Sequence, residues 1–184
     1  MELIRKYNDN DKELIEAFRL KTFDEGNNSL SYKVFDPENL TGQIFLFFVG
    51  GDLASISVVE SSKKYTEETD TCRICRYHIL KKYRNCNAGF KMLPHCVQWA
   101  IDNQYQLIYW THNVDNKALN ALYQHRKIMP GKINFFKDPL YQSFKLQPSL
   151  RFVTGKTIQY VYAKYLNPTF EWKPKGLISY ISDV

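Results

Sequence analysis

The sequence predicts an α/β (α+β) fold: a mixed, twisted central sheet of about seven strands with helices on both faces. Three observations carry that reading. Two apolar runs flank Gly50-Gly51-Asp52, which demands an antiparallel hairpin. Two strand-helix-strand arrangements in the second half demand some parallel pairing. A chain of 184 residues is long enough for one domain with a sizeable core and short for two.

Taken in order, Leu3 to Tyr7 reads as a first strand. Asp9 or Asp11 then caps a helix to about Phe23, with Leu14, Ile15, Phe18 and Leu20 supplying its apolar stripe. Glu25 to Asn39 is polar and reads as a loop or short second helix. Gln43 to Val49 and Leu53 to Val59 form the hairpin. Ser61 to Thr71 is a charged loop, and Cys72 to Leu80 a fourth strand with Cys75, Tyr77 and Ile79 on one face. Ala88 to Asn103 is helical, because Leu93, Cys96, Val97, Ala100 and Ile101 recur at helical spacing; Pro94 predicts a kink or a later start. Leu107 to His112 is the next strand, and Asp115 or Asn116 caps a helix through about His125. Ile133 to Phe136 and Phe152 to Tyr165, the latter firmest over Thr157 to Ala163, close the sheet. The order is β-α-β-β-β-α-β-α-β-β. From Asn167 the chain is an aromatic, proline-containing tail.

Hydrophobic residues at 44% and charged residues at 24% are ordinary globular composition, so neither a disordered nor a fibrous chain is indicated. The longest apolar run, Ile44 to Val49, is strand length and far below the ~20 residues that span a bilayer. The first residues lead straight into charged sequence, unlike a signal peptide. Cys72, Cys75, Cys86 and Cys96 crowd one region rather than spreading as a disulfide scaffold would, which fits reduced thiols in a cytoplasmic protein. Zinc is the competing use of Cys72-x-x-Cys75. It is disfavoured because that pair sits in a strand and Cys96 on an apolar helix face; no metal is expected.

The net charge is +6, with a pI near 9.0, and the excess is local. Arg73, Arg76, Lys81, Lys82, Arg84 and Lys91 fall between Cys72 and Lys91 with no acidic residue among them. Here a strand ending near Leu80 hands over to a helix through a turn, Tyr83 to Ala88. The first amides of a helix have no partner within it, and together with the helix dipole they bind phosphate. Asn87, Ala88 and Gly89 are small enough to let an anion approach the backbone. Arg84 is placed to reach a second phosphate oxygen. The turn is suited to a diphosphate.

Arg84-Asn85-Cys86-Asn87-Ala88-Gly89 resembles the Gln/Arg-x-x-Gly-x-Gly/Ala pyrophosphate loop of the GCN5-related N-acetyltransferase (GNAT) superfamily, with Asn87 in place of the first glycine. Asn113 to Tyr123 is similar to that family's second signature, Asn-x-x-Ala-x-x-Leu-Tyr, with Leu119 in place of the alanine. The resemblance implies an acetyl-coenzyme A-dependent N-acetyltransferase acting on a primary amine of a small molecule or a protein. It implies one acyltransferase domain over 1–166, followed by a tail at 167–184. It assigns Ile79 and Leu80 to the pantetheine arm, where the fourth and fifth strands part, and Arg84, Asn85, Asn87, Ala88 and Gly89 to the diphosphate. Asn116 would hold the coenzyme or a water, and Tyr123 would be the general acid. The base is open between Glu60, His78, His112 and direct attack by a neutral amine.

Two other functions compete. The basic balance and aromatic load suit a nucleic-acid-modifying enzyme on the same fold, and the imperfect loop suits a non-catalytic basic module. No membrane partner is expected, and the oligomeric state, monomer or homodimer, is not legible.

Overall fold

The computed structural model describes residues 1–26, 40–63, 68–117, 141–146, 159–172 and 178–180. Its contacts divide the chain into two compact units, Met1–Ser61 with Ile74–Asp102, and Ser62–Arg73 with Asn103–Val184.

The first unit opens with β1 (Glu2–Lys6), a 3-10 turn (Asp9–Asp11) and α1 (Lys12–Asp24). The cap falls on Asn8 rather than on Asp9 or Asp11. The Asn8 side chain accepts the Asn10 amide at 3.0 Å, while the Asp11 carboxylate accepts the Asn8 amide at 2.9 Å, a reciprocal capping box. Asp11 is also gripped by both terminal nitrogens of Arg5, each at 2.6 Å, which holds its carboxyl below the usual range. Ile15, Phe18 and Thr22 point inward from α1, following i, i+3, i+7. Leu20, expected in the stripe, is off that face and half exposed.

β2 (Gly42–Val49) and β3 (Asp52–Ser61) form the expected hairpin, Val49 opposite Asp52 and Gly42 opposite Glu60. Gly50 and Gly51 both adopt positive φ, 62° and 91°, the two-residue turn that matches the twist of the flanking strands. β1 adds antiparallel to the other edge of β2. Alternation then separates two faces. Ile44, Leu46, Ile56 and Val58 pack with Ile15 and Phe18 of α1. Phe45 and Ser57 meet His95 and Cys96 of α2 (Ala88–Asp102) on the other side. Helices therefore cover both faces, as the element order predicts. Burial along α2 follows the predicted spacing at Leu93, Cys96, Val97 and Ala100, whereas Ile101 is half exposed. Pro94 lies inside the helix, which runs from Ala88 without a later start.

β4 (Thr71–Ile79) follows β3 in the strand order β1-β2-β3-β4. The second unit holds β5 (Leu107–Asn113), β6 (Tyr141–Leu146), β7 (Gln159–Tyr165) and β8 (Ile178–Tyr180), ordered β5-β7-β6-β8 with antiparallel neighbours. Leu107, Tyr109, Val161, Ala163 and Tyr165 form its core, with Phe170 and Trp172 of the tail packed against it.

Eight strands are present among the described residues, against about seven expected. β6 lies where no strand was read, and the tail contributes the three-residue β8. The strand expected at Ile133 to Phe136 and the helix expected to run to His125 lie outside the described residues, apart from the latter's first positions.

Candidate functional site

The basic stretch ahead of α2 is more ordered than a turn. Lys81–Cys86 form a 3-10 helix entered from Leu80, whose amide still bonds the Ala54 carbonyl at 3.1 Å. Asn87 then takes the left-handed conformation, φ 57° and ψ 31°, and the chain enters α2 at Ala88. Asparagine tolerates that region better than other non-glycine residues. It therefore serves where a glycine would be the usual choice.

Ala88 is buried at 1% exposure and fixes the start of the helix in the core. Gly89 is covered by Tyr77: a Cβ there would stand 3.2 Å from the ring Cζ and from Oη. Arg84, Asn85 and Asn87 are exposed, Ile79 is half-buried and Leu80 is buried. The loop thus shows solvent a guanidinium and two amide side chains just ahead of a helix N-terminus, groups of the kind that can hold an anion.

Three contacts fix it from below. Lys81 donates its backbone amide to both oxygens of Glu25, each at 3.0 Å. Asp52, from the hairpin turn, accepts from Lys82 Nζ at 2.8 Å and from Tyr83 Oη at 2.7 Å. Those two donors hold the Asp52 carboxyl below its usual range, and Asp52 in turn raises Lys82. Lys91 pairs with Glu2 at 2.6 Å. Arg84 makes no ion pair among the described residues, so its charge faces outward. The anchoring carboxylates were not foreseen: Glu25 read only as the start of a polar loop or short helix, and Asp52 only as a turn residue. The Gly-Gly-Asp sequence offered a signal for neither role.

The candidate bases are far apart in environment. His78 is buried, and desolvation, aided by the charge of Arg76, pushes its pKa down to about 4. Glu60 is also buried, at the end of β3 opposite Gly42. It lies six residues from Ala54, or ~20 Å along an extended strand, so the structure does not bring it to the loop. His112 belongs to the other unit, buried and stacked on Tyr162 with centroids 5.3 Å apart and rings within 9° of parallel. Tyr123 lies outside the described residues.

Asn116 is exposed just beyond β5, its backbone amide donating to the Asn113 carbonyl at 3.0 Å. It lines an open cleft of about 520 Å³ together with Arg73, Thr111, His112, Asp115 and Gln159. Arg73 Nη2 donates to the Thr111 hydroxyl at 3.0 Å. Asn116 and His112 are legible in the sequence as site candidates, whereas Arg73 of β4 and Gln159 of β7 carry no sequence signature.

Among the described residues no three His, Cys, Asp or Glu side chains are grouped as a metal site, and no helix is long and apolar enough to cross a membrane. The four cysteines are unbridged. Cys96, against Ser57 at 3.4 Å, is pushed up to about 12 by burial and stays a thiol.

Comparison with known proteins follows the same lines. Residues 5–127 match the family described as Acetyltransferase (GNAT) family. No curated protein matches the chain. Among solved structures, the ribosomal-protein-S18-alanine N-acetyltransferase from Escherichia coli superposes with TM-score 0.55 at 12% identity, over 93% of this chain and 97% of that one. A GNAT-family acetyltransferase from Streptococcus pneumoniae gives 0.58 at 17% identity, over 90% of this chain and 100% of that one. The ribosomal-protein-alanine N-acetyltransferase from Brucella melitensis gives 0.59 at 13% identity, over 89% and 99%. At such identities the likeness is one of fold.

Proposed function

Because the chain belongs to the acetyltransferase (GNAT) family, we propose that it transfers an acetyl group from acetyl-coenzyme A to the nitrogen of a primary amine. The observation that carries this reading is the handover from Leu80 to Gly89, with Asn87 left-handed, Arg84 exposed and a helix N-terminus behind them. That combination is fitted to a diphosphate.

The thioester supplies the activated acyl group: a C–N bond forms at its carbonyl carbon, the C–S bond breaks, and the proton lost by the amine ends on the departing sulfur. Arg84, Asn85 and the backbone at Asn87, Ala88 and Gly89 hold the diphosphate. Ile79 and Leu80 run beside the pantetheine arm, and Asn116 orients coenzyme or water. Tyr123 donates the proton to the sulfur; a phenol with an ordinary pKa of ~10 is protonated at neutral pH and able to do so.

Glu60 is preferred to His78 as the base. Glu60 lies buried at the end of β3, away from the loop that would hold the diphosphate. His78 sits near the diphosphate end and, at a pKa of about 4, is a weak proton acceptor. In this reading residues 1–166 act as one acyltransferase domain and 167–184 as its tail.

Calorimetry with acetyl-coenzyme A, followed by thiol release over an amine panel, tests the proposal. Saturable binding and amine-dependent release are expected. Absence of binding, with no thermal protection by the coenzyme, would retire it.

A further inference from the structure

β1 is the outer strand of the β1-β2-β3-β4 order, and no strand among the described residues pairs with its second edge. Its bonds to β2 fix which groups that edge presents. Tyr7 donates its amide to the Ile44 carbonyl, and Gly50 donates to the Met1 carbonyl, each at 2.9 Å. Both bonds share the register that sets Leu3 opposite Phe48 and Arg5 opposite Leu46. Bonded pairs alternate along an antiparallel ladder, so the odd positions of β1 turn their backbone groups toward β2. Glu2, Ile4 and Lys6 therefore turn theirs outward. The Lys6 carbonyl shows this directly: it accepts Arg5 Nη1 at 3.1 Å and keeps a second lone pair.

An open edge is a template for another strand, and proteins usually blunt it with proline, a bulge or charge. β1 reads Glu-Leu-Ile-Arg-Lys, with no proline and an unbroken register on β2. Its end charges are opposite in sign, which makes the strand complementary to itself. Laid antiparallel on a second copy about a two-fold axis at Ile4, it sets Glu2 opposite Lys6 at both ends. These are the outward positions, so each pair exchanges both backbone bonds. Lys6 is exposed and makes no ion pair among the described residues. Glu2 accepts Lys91 at 2.6 Å, and a carboxylate has lone pairs left for a second cation. On the other face the exposed Leu3 meets the stem of Arg5, whose guanidinium is held back by Asp11 and lies 5.0 Å from the Phe48 ring centroid. Other centres fit worse. Centring on Glu2 or Lys6 opposes like charges, and centring on Leu3 or Arg5 sets a charge against Ile4.

We infer that a second copy of this chain docks on the outer edge of β1, giving a two-fold dimer joined strand to strand through Glu2, Ile4 and Lys6. An isologous contact of this kind closes on itself, so assembly stops at two. A five-residue edge is a small interface, and the dimer is accordingly weak and reversible, with a Kd of roughly 10–500 µM. The inference concerns the first unit alone and stands apart from the acetyltransferase reading.

Sedimentation equilibrium at low salt, with the chain at up to about 1 mM, tests it. A monomer–dimer equilibrium is expected. Amide exchange at Ile4 and Lys6 should slow about twofold or more between dilute and concentrated protein, while Leu3 and Arg5, already bonded to β2, change little. Lys6→Glu opposes two carboxylates at both ends and should weaken association about tenfold or more. Mixed with Glu2→Lys, it should associate as a heterodimer to within about fivefold of wild type. Ile4→Pro deletes an N–H that the fold does not use, which an edge strand tolerates, and should abolish the dimer; it serves if a charge variant does not fold. A monomer at every concentration overturns the inference. So does a dimer indifferent to both Lys6→Glu and Ile4→Pro, or a charge-swapped mixture that fails to associate.

Discussion

Glu25, at the end of α1, accepts the backbone amide of Lys81 with both carboxylate oxygens at 3.0 Å. The bond ties the end of a helix to the first residue of the basic loop, and it also places a negative charge beside the corner proposed to hold a diphosphate. Order and repulsion are therefore supplied by one side chain. Glu25→Gln keeps an acceptor for the amide and removes the charge. It should tighten acetyl-coenzyme A binding roughly two- to fivefold at low salt, the scale of a solvent-screened charge pair. The gain should shrink as salt rises toward 1 M, where the Debye length falls to ~3 Å. Weaker binding in the variant, by calorimetry across salt, would mean that the carboxylate is needed for order alone.

Arg84 is exposed and makes no ion pair among the described residues, so its removal should act on binding and not on folding. Arg84→Ala should weaken the coenzyme about tenfold, the loss of ~1.4 kcal/mol expected for a charge-assisted bond to phosphate. The melting temperature without ligand should be unchanged within a degree or so. An equal loss of both would recast Arg84 as structural.

Asn87 gives a second, backbone-based check. Its φ of 57° suits glycine and asparagine, while a β-branched residue there is strained by roughly 1–3 kcal/mol. Asn87→Gly should match the wild-type protein in denaturant unfolding and in coenzyme affinity. Asn87→Val should lose both, because the strain falls on the junction that aims the helix amides.

These positions show what the sequence made readable. The hairpin was legible because Gly50-Gly51-Asp52 is local turn chemistry, and α2 because Leu93, Cys96, Val97 and Ala100 repeat within one segment. Asn87 was legible because left-handed backbone restricts residue choice at a single site. Glu25 meets Lys81 at a sequence separation of 56 and Asp52 meets Lys82 at one of 30, contacts that no local pattern encodes. The cleft is more remote still, assembling Arg73, Thr111 and Gln159 from three strands. Leu20 misled for a simpler reason: its hydrophobicity fitted a stripe whose phase Ile15, Phe18 and Thr22 had already fixed. β8 escaped because three residues carry too little alternation to register.

His78 predicts a pH dependence of stability. In the unfolded chain it protonates near 6.5, whereas in the fold burial delays protonation to about 4. Between those values the unfolded state binds more protons, so stability rises with pH across the window and falls as pH drops through it. With ~1.4 kcal/mol per pKa unit, the contribution lost between pH 7.5 and pH 5 is about 2 kcal/mol. Urea unfolding at the two values should show that loss in the wild-type protein and a smaller one in His78→Gln. Parallel losses in both would assign the slope to other groups; Asp11 is not among them, because its lowered pKa acts only in more acidic solution.

Two glycines should answer differently to the same added methyl group. At Gly42 an ideal Cβ would stand 1.8 Å from the Val59 carbonyl oxygen and 2.7 Å from the Glu60 Cα, both backbone atoms of the paired strand. Neither can move without parting β2 from β3 at the position opposite Glu60. Gly42→Ala should therefore cost about 3 kcal/mol or more, within the scale of severe core overpacking. At Gly89 the same atom would meet only the far end of the Tyr77 ring at 3.2 Å, and that ring is 38% exposed and able to swing aside. Gly89→Ala should cost under about 1 kcal/mol, and alanine's helix propensity offsets part of that. If unfolding gave equal losses at both sites, Tyr77 would have to be held in place by more than its contact with the helix. The ring would then count as a fixed wall of the diphosphate corner, and Tyr77→Ala combined with Gly89→Ala should restore the lost stability.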